Sequence, residues 1–298
     1  MAGIRELRGR IKSVGNIKQI TRAMEMVATT KLRKFQDRAV ASRPYAEEIT
    51  GLVGRLAAVL GDEIADKPLF MPREGGKRAV LVVTSDRGLC GSYNSNLLRA
   101  LEAWRSEDES HRDVDAIDYF VYGRKGFSYL SRRGHNIAGV FDNPELEKID
   151  YRGAARTAQT LVDGFLDGTY SRVQILYSAF ESMARYVPTW IDFLPIQASS
   201  LVGDEDSSGA MAGGDVILEP DAEAIFDRLV PRYLETRMYN ALVEALTSEY
   251  ASRRMSMKNA TDAAGDMQNE LQSIYNRKRQ EGITKDLLDI VGGAEALR

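Results

Sequence analysis

The sequence predicts an α/β protein with long terminal helices. Apolar residues recur at helical spacing at both ends, strand-like and helical runs alternate between them, and a 44% hydrophobic, 28% charged composition suits a chain with a sizeable core.

At the N-terminus, Ile4, Leu7, Ile11, Val14, Ile17, Ile20, Met24 and Val27 recur at steps of three or four. That spacing predicts one face of a helix close to a coiled-coil seam, with a local stammer at 14–20. Arg5, Arg8, Arg10, Lys12, Lys18 and Arg22 lie off it. Pro44 is expected to kink or restart the helix, which Ile49, Leu52, Val53, Leu56 and Leu60 continue. Gly61, Pro68 and Pro72 mark a linker.

The middle alternates periods. Strand-like runs are Ala79–Thr84, Ile117–Tyr122, Ile137–Phe141 and Val173–Phe180; helical runs are Ser92–Trp104, Lys125–Arg133 and Tyr151–Leu166. This order predicts a small open parallel sheet with helices on its faces. Residues 203–215, nearly devoid of apolar side chains, are expected to be a flexible surface loop.

Near the C-terminus, Met257, Ala260, Ala264, Met267, Leu271, Ile274 and Lys278 keep a heptad register with small residues that allow close approach of a second helix. Leu242, Leu246 and Tyr250 extend the stripe upstream; Ile283, Leu287, Leu288, Val291, Ala294 and Leu297 extend it downstream. The N-terminal seam spans roughly 50 Å and a helix over 232–291 about 90 Å. If the two ends pair antiparallel, the second helix overruns the first by several turns. Its apolar stripe then faces water unless another protein encloses it. The plainer alternative is that both helices fold against the middle domain.

Charge is polarised. Residues 1–43 carry eleven Lys or Arg against three acids, 232–298 are balanced, and 44–231 carry a net −11. The N-terminal segment is therefore expected to meet an acidic surface. Protein contact fits better than nucleic acid, because no aromatic platform accompanies the basic side chains and the seam requires a partner helix. The Arg-rich opening also has the character of an organelle transit peptide, but its apolar rhythm continues unbroken through residues 17–35. No run of 18 apolar residues predicts direct membrane insertion. A single cysteine excludes an intramolecular disulfide framework and fits a reducing compartment.

The sharpest local candidate for chemistry is the segment 85–94, Ser-Asp-Arg-Gly-Leu-Cys-Gly-Ser-Tyr-Asn, which follows a strand and precedes a helix. Open α/β sheets bind ligands at such points, and backbone amides there can cradle an anion. It lacks both G-x-G-x-x-G spacing and the lysine of a P-loop, so a turn or docking surface is the better reading than a nucleotide site. Cys90 near a helix start is a conceivable nucleophile, but neither His111 nor His135 is a legible partner. One Cys and two scattered His cannot supply a zinc shell, and no EF-hand pattern occurs. No catalytic, cofactor or metal residue is assigned.

Three stretches resemble the gamma subunit family of the F-type ATP synthase: IRELRGRIKSVGNIKQITRAMEMVATTKLR with ASRPYAEEI, the SDRGLCG loop at 85–91, and SEYASRRMSMKNAT with LQSIYNRKRQEGITKDLLDIVGGAEAL. Their order and spacing cover essentially the whole chain. The resemblance implies an antiparallel two-helix coiled coil joined to a Rossmann-like open parallel sheet domain. The expected division is a coil helix over 1–60, a linker over 61–76, the Rossmann-like domain over 77–200, a loop and foot over 201–219 and a coil helix over 220–298.

It also implies a central stalk rotor, without a catalytic site of its own or any cofactor, that couples ion flow to ATP synthesis or hydrolysis. The implied partners are a hexamer of alpha and beta subunits holding one copy of the chain, the epsilon subunit and the c-subunit ring. The implied location is peripheral, at the cytoplasmic face of a bacterial cell membrane. By motif, Met24, Arg87 and Cys90 correspond to contacts with the beta-subunit lever, and Arg279, Gln280 and Thr284 to the beta-subunit catch loop. Leu287, Val291, Ala294 and Leu297 correspond to an apolar bearing, and Glu219 to a foot near the c ring. Leu218 stands where the family often has Tyr, Glu281-Gly282 replaces a usual small pair, and Tyr250 and Ser252 replace smaller residues. A single cysteine also rules out the paired-cysteine switch of the chloroplast version. A non-rotary coiled-coil adaptor and an α/β enzyme using the 85–94 loop remain as other readings.

Overall fold

The computed structural model describes residues 3–73, 75–107, 111, 113, 116–183, 185–197, 201 and 221–296, with side chains left out at 62 and 293–296. The predicted loop at 203–215, Glu219 and Leu297 lie outside the described residues. The chain forms two compact units, one from residues 1–30 and 253–298, the other from 31–252.

In the larger unit, β1 (Lys77–Val83), β2 (Ile117–Tyr122), β3 (Ile137–Val140), β4 (Tyr170–Phe180) and β5 (Tyr186–Leu194) form one sheet in the order β3-β2-β1-β4-β5. The first four pair in parallel, and β5 pairs antiparallel to β4. The parallel part follows from its sequence: Ala79 to Val83 are fully buried, as a strand covered on both faces requires. The antiparallel edge departs from the predicted all-parallel sheet. Pro188 breaks the strand signal of β5, and Pro is tolerated there because the strand sits at an edge.

Three helices cover the sheet. Helix α2 (Tyr93–Glu107) packs Tyr93, Leu97, Leu101 and Trp104 into a core with Val80, Val82, Tyr119, Val121 and Leu176. Helix α3 (Arg124–Arg132) follows β2, with Gly126 and Leu130 buried. Helix α4 (Tyr151–Leu166) starts where Asp150 accepts from the Gly153 amide at 2.7 Å, an N-cap that fixes its first turn. Within this unit Phe35 stacks on Tyr250 with centroids 5.4 Å apart, and Leu32, Val53, Leu242 and Leu246 are buried.

The terminal helices are α1 (Ile4–Leu60) and α5 (Ala222–Ala296). Helix α1 is continuous through Pro44, where the sequence predicts a kink or restart. Burial of Phe35, Ile49 and Val53 on either side offsets the hydrogen bond that Pro removes.

In the smaller unit the two helices pair antiparallel. The Thr261 hydroxyl donates to that of Thr21 at 2.9 Å; a Cβ on Gly265 would lie 3.2 Å from Lys18 Nζ; one on Gly15 would meet Gln268, and one on Gly282 would meet Ile4. As one residue number rises the other falls. On α1 the seam runs through Leu7, Ile11, Val14, Lys18, Thr21, Glu25 and Ala28, an unbroken heptad without the predicted stammer, with Gly15 and Met24 half-buried beside it. Ile17, Ile20 and Val27, read as seam residues, are instead 52%, 59% and 56% exposed. On α5 the seam runs through Met257, Thr261, Ala264, Gln268, Leu271, Tyr275, Lys278 and Gly282, and Met267 points outward. Small residues and amphipathic stems bring the backbones close, and the larger apolar residues are left on the outside.

Candidate functional site

The loop after β1 is cross-braced by side-chain hydrogen bonds. Ser85 Oγ donates to the Arg87 carbonyl at 2.8 Å and accepts from Asn94 Nδ2 at 2.7 Å, while the Ser85 amide donates to Asn94 Oδ1 at 3.0 Å. Asn94 on α2 thus pins the start of the loop twice. Leu89, at the tip, has φ 64° and is 61% exposed; among the described residues it is the only non-glycine with positive φ. Holding an L-residue there costs about 1 kcal/mol, which the surrounding bonds must supply.

The position where an open sheet would bind a phosphate is filled by the chain itself. The amides of Arg124, Lys125 and Gly126, the first turn of α3, donate to Asp86 Oδ1 at 3.1 Å, the Ser85 carbonyl at 3.1 Å and Thr84 Oγ1 at 2.8 Å. Thr84 Oγ1 in turn donates to the Tyr122 carbonyl at 2.9 Å. Gly123 has φ 92°, and a Cβ there would lie 2.2 Å from the Thr84 carbonyl oxygen. An anion would have to displace a carboxylate, a carbonyl and a hydroxyl to reach this helix end.

Cys90, expected as a contact residue, is only 2% exposed in this chain. Its Sγ lies 3.2 Å from Asn94 Nδ2 and 3.6 Å from Ser85 Oγ, and its carbonyl accepts from Ser252 Oγ at 2.6 Å. Both histidines are engaged elsewhere: His111 with Arg78 and the Trp104 carbonyl, His135 with Arg105. Neither imidazole therefore stands beside the thiol as its general base. Arg87 and Leu89 are the exposed side chains of the loop, and Leu89 is the residue that sequence reasoning missed.

Next to the loop, Glu147 accepts from Lys31 and from the Tyr250 hydroxyl, the latter at 2.6 Å. Burial alone pushes its carboxyl up, but those two donors and the charges of Lys31 and Arg87 outweigh it and hold the pKa below the ordinary value. Tyr250 and Ser252, singled out in the sequence only as bulkier than usual, are thus bonded to Glu147 and to the loop respectively.

In the smaller unit, the remaining expected contact residues lie along the paired helices. Met24 is half-buried at the seam edge, while neighbouring Met26 is 60% exposed. Arg279, Gln280 and Thr284 are exposed on α5. Beyond Gly282, opposite Ile4, α5 continues over 283–296 without α1, roughly 21 Å of helix. Ile283, Leu287, Leu288, Ile290 and Val291 are all more than half exposed on it. Ala294 lies in the same helix, its side chain among those left out. An open groove of about 970 Å³ nearer the middle of the coil is lined by Lys18, Arg22, Glu25, Lys258, Asp262 and Asp266 among others. Its mixed charges face solvent and select no ligand of one sign. Among the described residues no helix is long and apolar enough to cross a membrane.

The smaller unit, a two-helix coil whose second helix runs past the first with its apolar side chains exposed, is of the shaft type. The ATP synthase family profile matches residues 3–297. The chain is 37% identical to the ATP synthase gamma chain of Cytophaga hutchinsonii, covering 100% of this chain and 99% of that one. It is 41% identical to that of Mycolicibacterium smegmatis, over 99% and 98% of the two chains. The chain belongs to the ATP synthase gamma chain family, the central stalk subunits of F-type ATP synthases. A chain of the Euglena gracilis mitochondrial ATP synthase has the same fold, with TM-score 0.63 at 18% identity over 99% of this chain and 94% of that one.

Proposed function

We propose that this chain is the rotating axle of an F-type ATP synthase and contains no catalytic site of its own. An asymmetric shaft inside a ring of alternating alpha and beta subunits touches each beta subunit differently, and differential contact free energy biases each to a different nucleotide affinity. Turning the shaft exchanges those identities, so ion flow drives ATP release and hydrolysis drives the shaft backwards. The observation that carries this reading is the unpaired end of α5. Five large apolar side chains exposed on one short stretch of helix are unfavourable in water and call for a sleeve.

On this reading, the 283–296 segment rides in an apolar bearing, with Leu287, Val291, Ala294 and Leu297 facing its wall. Arg279, Gln280 and Thr284 meet the beta catch loop below it. Met24 and Arg87 meet the acidic beta lever, which suits the net positive N-terminal segment. Glu219 stands near the c ring, beside epsilon, and the assembly lies at the cytoplasmic face of a bacterial membrane.

Reconstitution with an alpha–beta hexamer tests the proposal. One copy per hexamer and ATP-driven turning of a probe on the chain are expected. A chain that binds no hexamer, or binds without turning during hydrolysis, overturns it. Met24→Lys places a long cation at the lever and is expected to lower the number of ions pumped per ATP hydrolysed; an unchanged ratio removes Met24 from the contact.

A further inference from the structure

Two side chains of helix α5, on different sides of it, brace the loop at 85–91: Ser252 bonds to it directly, and Tyr250 acts through Glu147 beside it. Ser252, 1% exposed, places its Oγ 2.6 Å from the Cys90 carbonyl and 2.9 Å from the Tyr186 hydroxyl at the start of β5. One hydroxyl thus joins the loop, the edge strand and α5. Two residues earlier, and so turned well away around the helix, Tyr250 stacks on Phe35 of α1 and donates to Glu147, which also takes Lys31. Lys31 Nζ lies 5.6 Å from the Tyr250 ring centroid. The Arg87 charge is among those that lower the Glu147 pKa, as expected of a carboxylate lying beside the loop.

We infer that Ser252 and Tyr250 are positioning residues that mount the 85–91 loop rigidly on α5, so that force carried by that helix is delivered through Arg87 and Leu89 without slack. The geometry of Leu89 gives the mount its purpose. A large apolar side chain held left-handed and outward relaxes as soon as its flanking peptide is released, and the Cys90 carbonyl next to it is the group that Ser252 holds. A loop free to relax would yield under load. Arg87 presents a fixed charge for the same reason. The inference rests on the rotary reading for its consequence, but not for its geometry.

The single cysteine provides a local readout in the full chain, because Cys90 is buried beneath this loop. Ser252→Ala removes the hydroxyl that holds the Cys90 carbonyl and the Tyr186 hydroxyl, and the labelling rate of Cys90 by a maleimide is expected to rise about five- to tenfold. Tyr250→Phe keeps the stacked ring and loses the bond to Glu147, with a smaller rise expected. The thermal midpoint of the chain should hold within a few degrees in both. In the reconstituted complex, ions moved per ATP hydrolysed should fall in Ser252→Ala while hydrolysis itself continues. Unchanged labelling in both variants overturns the mount and leaves the rotary reading untouched. Faster labelling with an unchanged coupling ratio overturns its role in delivering force.

Discussion

The α/β body and the two-helix coil use their apolar residues in opposite ways. In the body, five consecutive strand residues, Ala79 to Val83, are wholly buried, and Leu97, Leu101 and Leu161 pack against the sheet with no exposure. In the coil, the seam is Lys18, Thr21, Thr261, Gly265 and Gln268 as much as it is leucine, while Ile17, Ile20, Val27 and Met267 face outward. The body therefore supplies its own stability. The coil trades part of its own for an apolar exterior, which is the surface an enclosing protein would grip.

The largest expected effect tests that contrast directly. Leu97→Ala removes a fully buried side chain from the core against Val80 and Val121, and should destabilise the body by about 2–5 kcal/mol. Ile20→Ala, at a position 59% exposed, should change stability by less than about 0.5 kcal/mol. Urea denaturation of both variants measures the pair. A comparable loss at Ile20 would mean that the coil packs this residue after all.

The contrast also explains what was legible in the sequence. Strand β2 and helix α4 were readable to the residue, because a run apolar but for Asp118 and a 3.6-residue period each mark buried positions. The coil was legible as a coil, but its register was one residue off on much of α1. Periodicity marks apolar residues without saying what they touch, and here the isoleucines turn away from the partner helix. Strand β5 was hidden by Pro188. The bracing of the loop could not be read, since Ser252 lies 162 positions from Cys90 and nothing local announces the bond. The only sequence signal was that Tyr250 and Ser252 are bulkier than the family pattern.

A second effect concerns acid. His135, 8% exposed, accepts from Arg105 through Nε2 at 3.1 Å, so it must be neutral to keep that bond. Burial lowers its pKa, and the Arg105 charge lowers it further. The unfolded chain therefore takes up this proton at higher pH than the folded chain does. The contribution to stability is full above the ordinary histidine value of 6.5 and is lost as pH falls through the lower folded value. Denaturation midpoints at pH 7.5 and 5.5 should differ in this direction, and His135→Gln, which can still accept from Arg105, should narrow the gap. An equal gap in the variant would place the acid sensitivity elsewhere.

The smallest effect separates the two regions by sign, using one kind of substitution in each. At Gly123 an added Cβ meets the Thr84 carbonyl at 2.2 Å with φ at 92°, so Gly123→Ala must move backbone and should destabilise by more than about 1 kcal/mol. At Gly265, in the middle of α5, the nearest atom is Lys18 Nζ at 3.2 Å, the free end of a flexible chain. There the lysine can swing aside, and replacing a mid-helix glycine by alanine should stabilise the coil by about 0.5–1 kcal/mol. If Gly265→Ala destabilises instead, the ammonium group of Lys18 is fixed in the seam and the coil is packed as tightly as the body. Opposite signs at the two glycines would establish the looser seam.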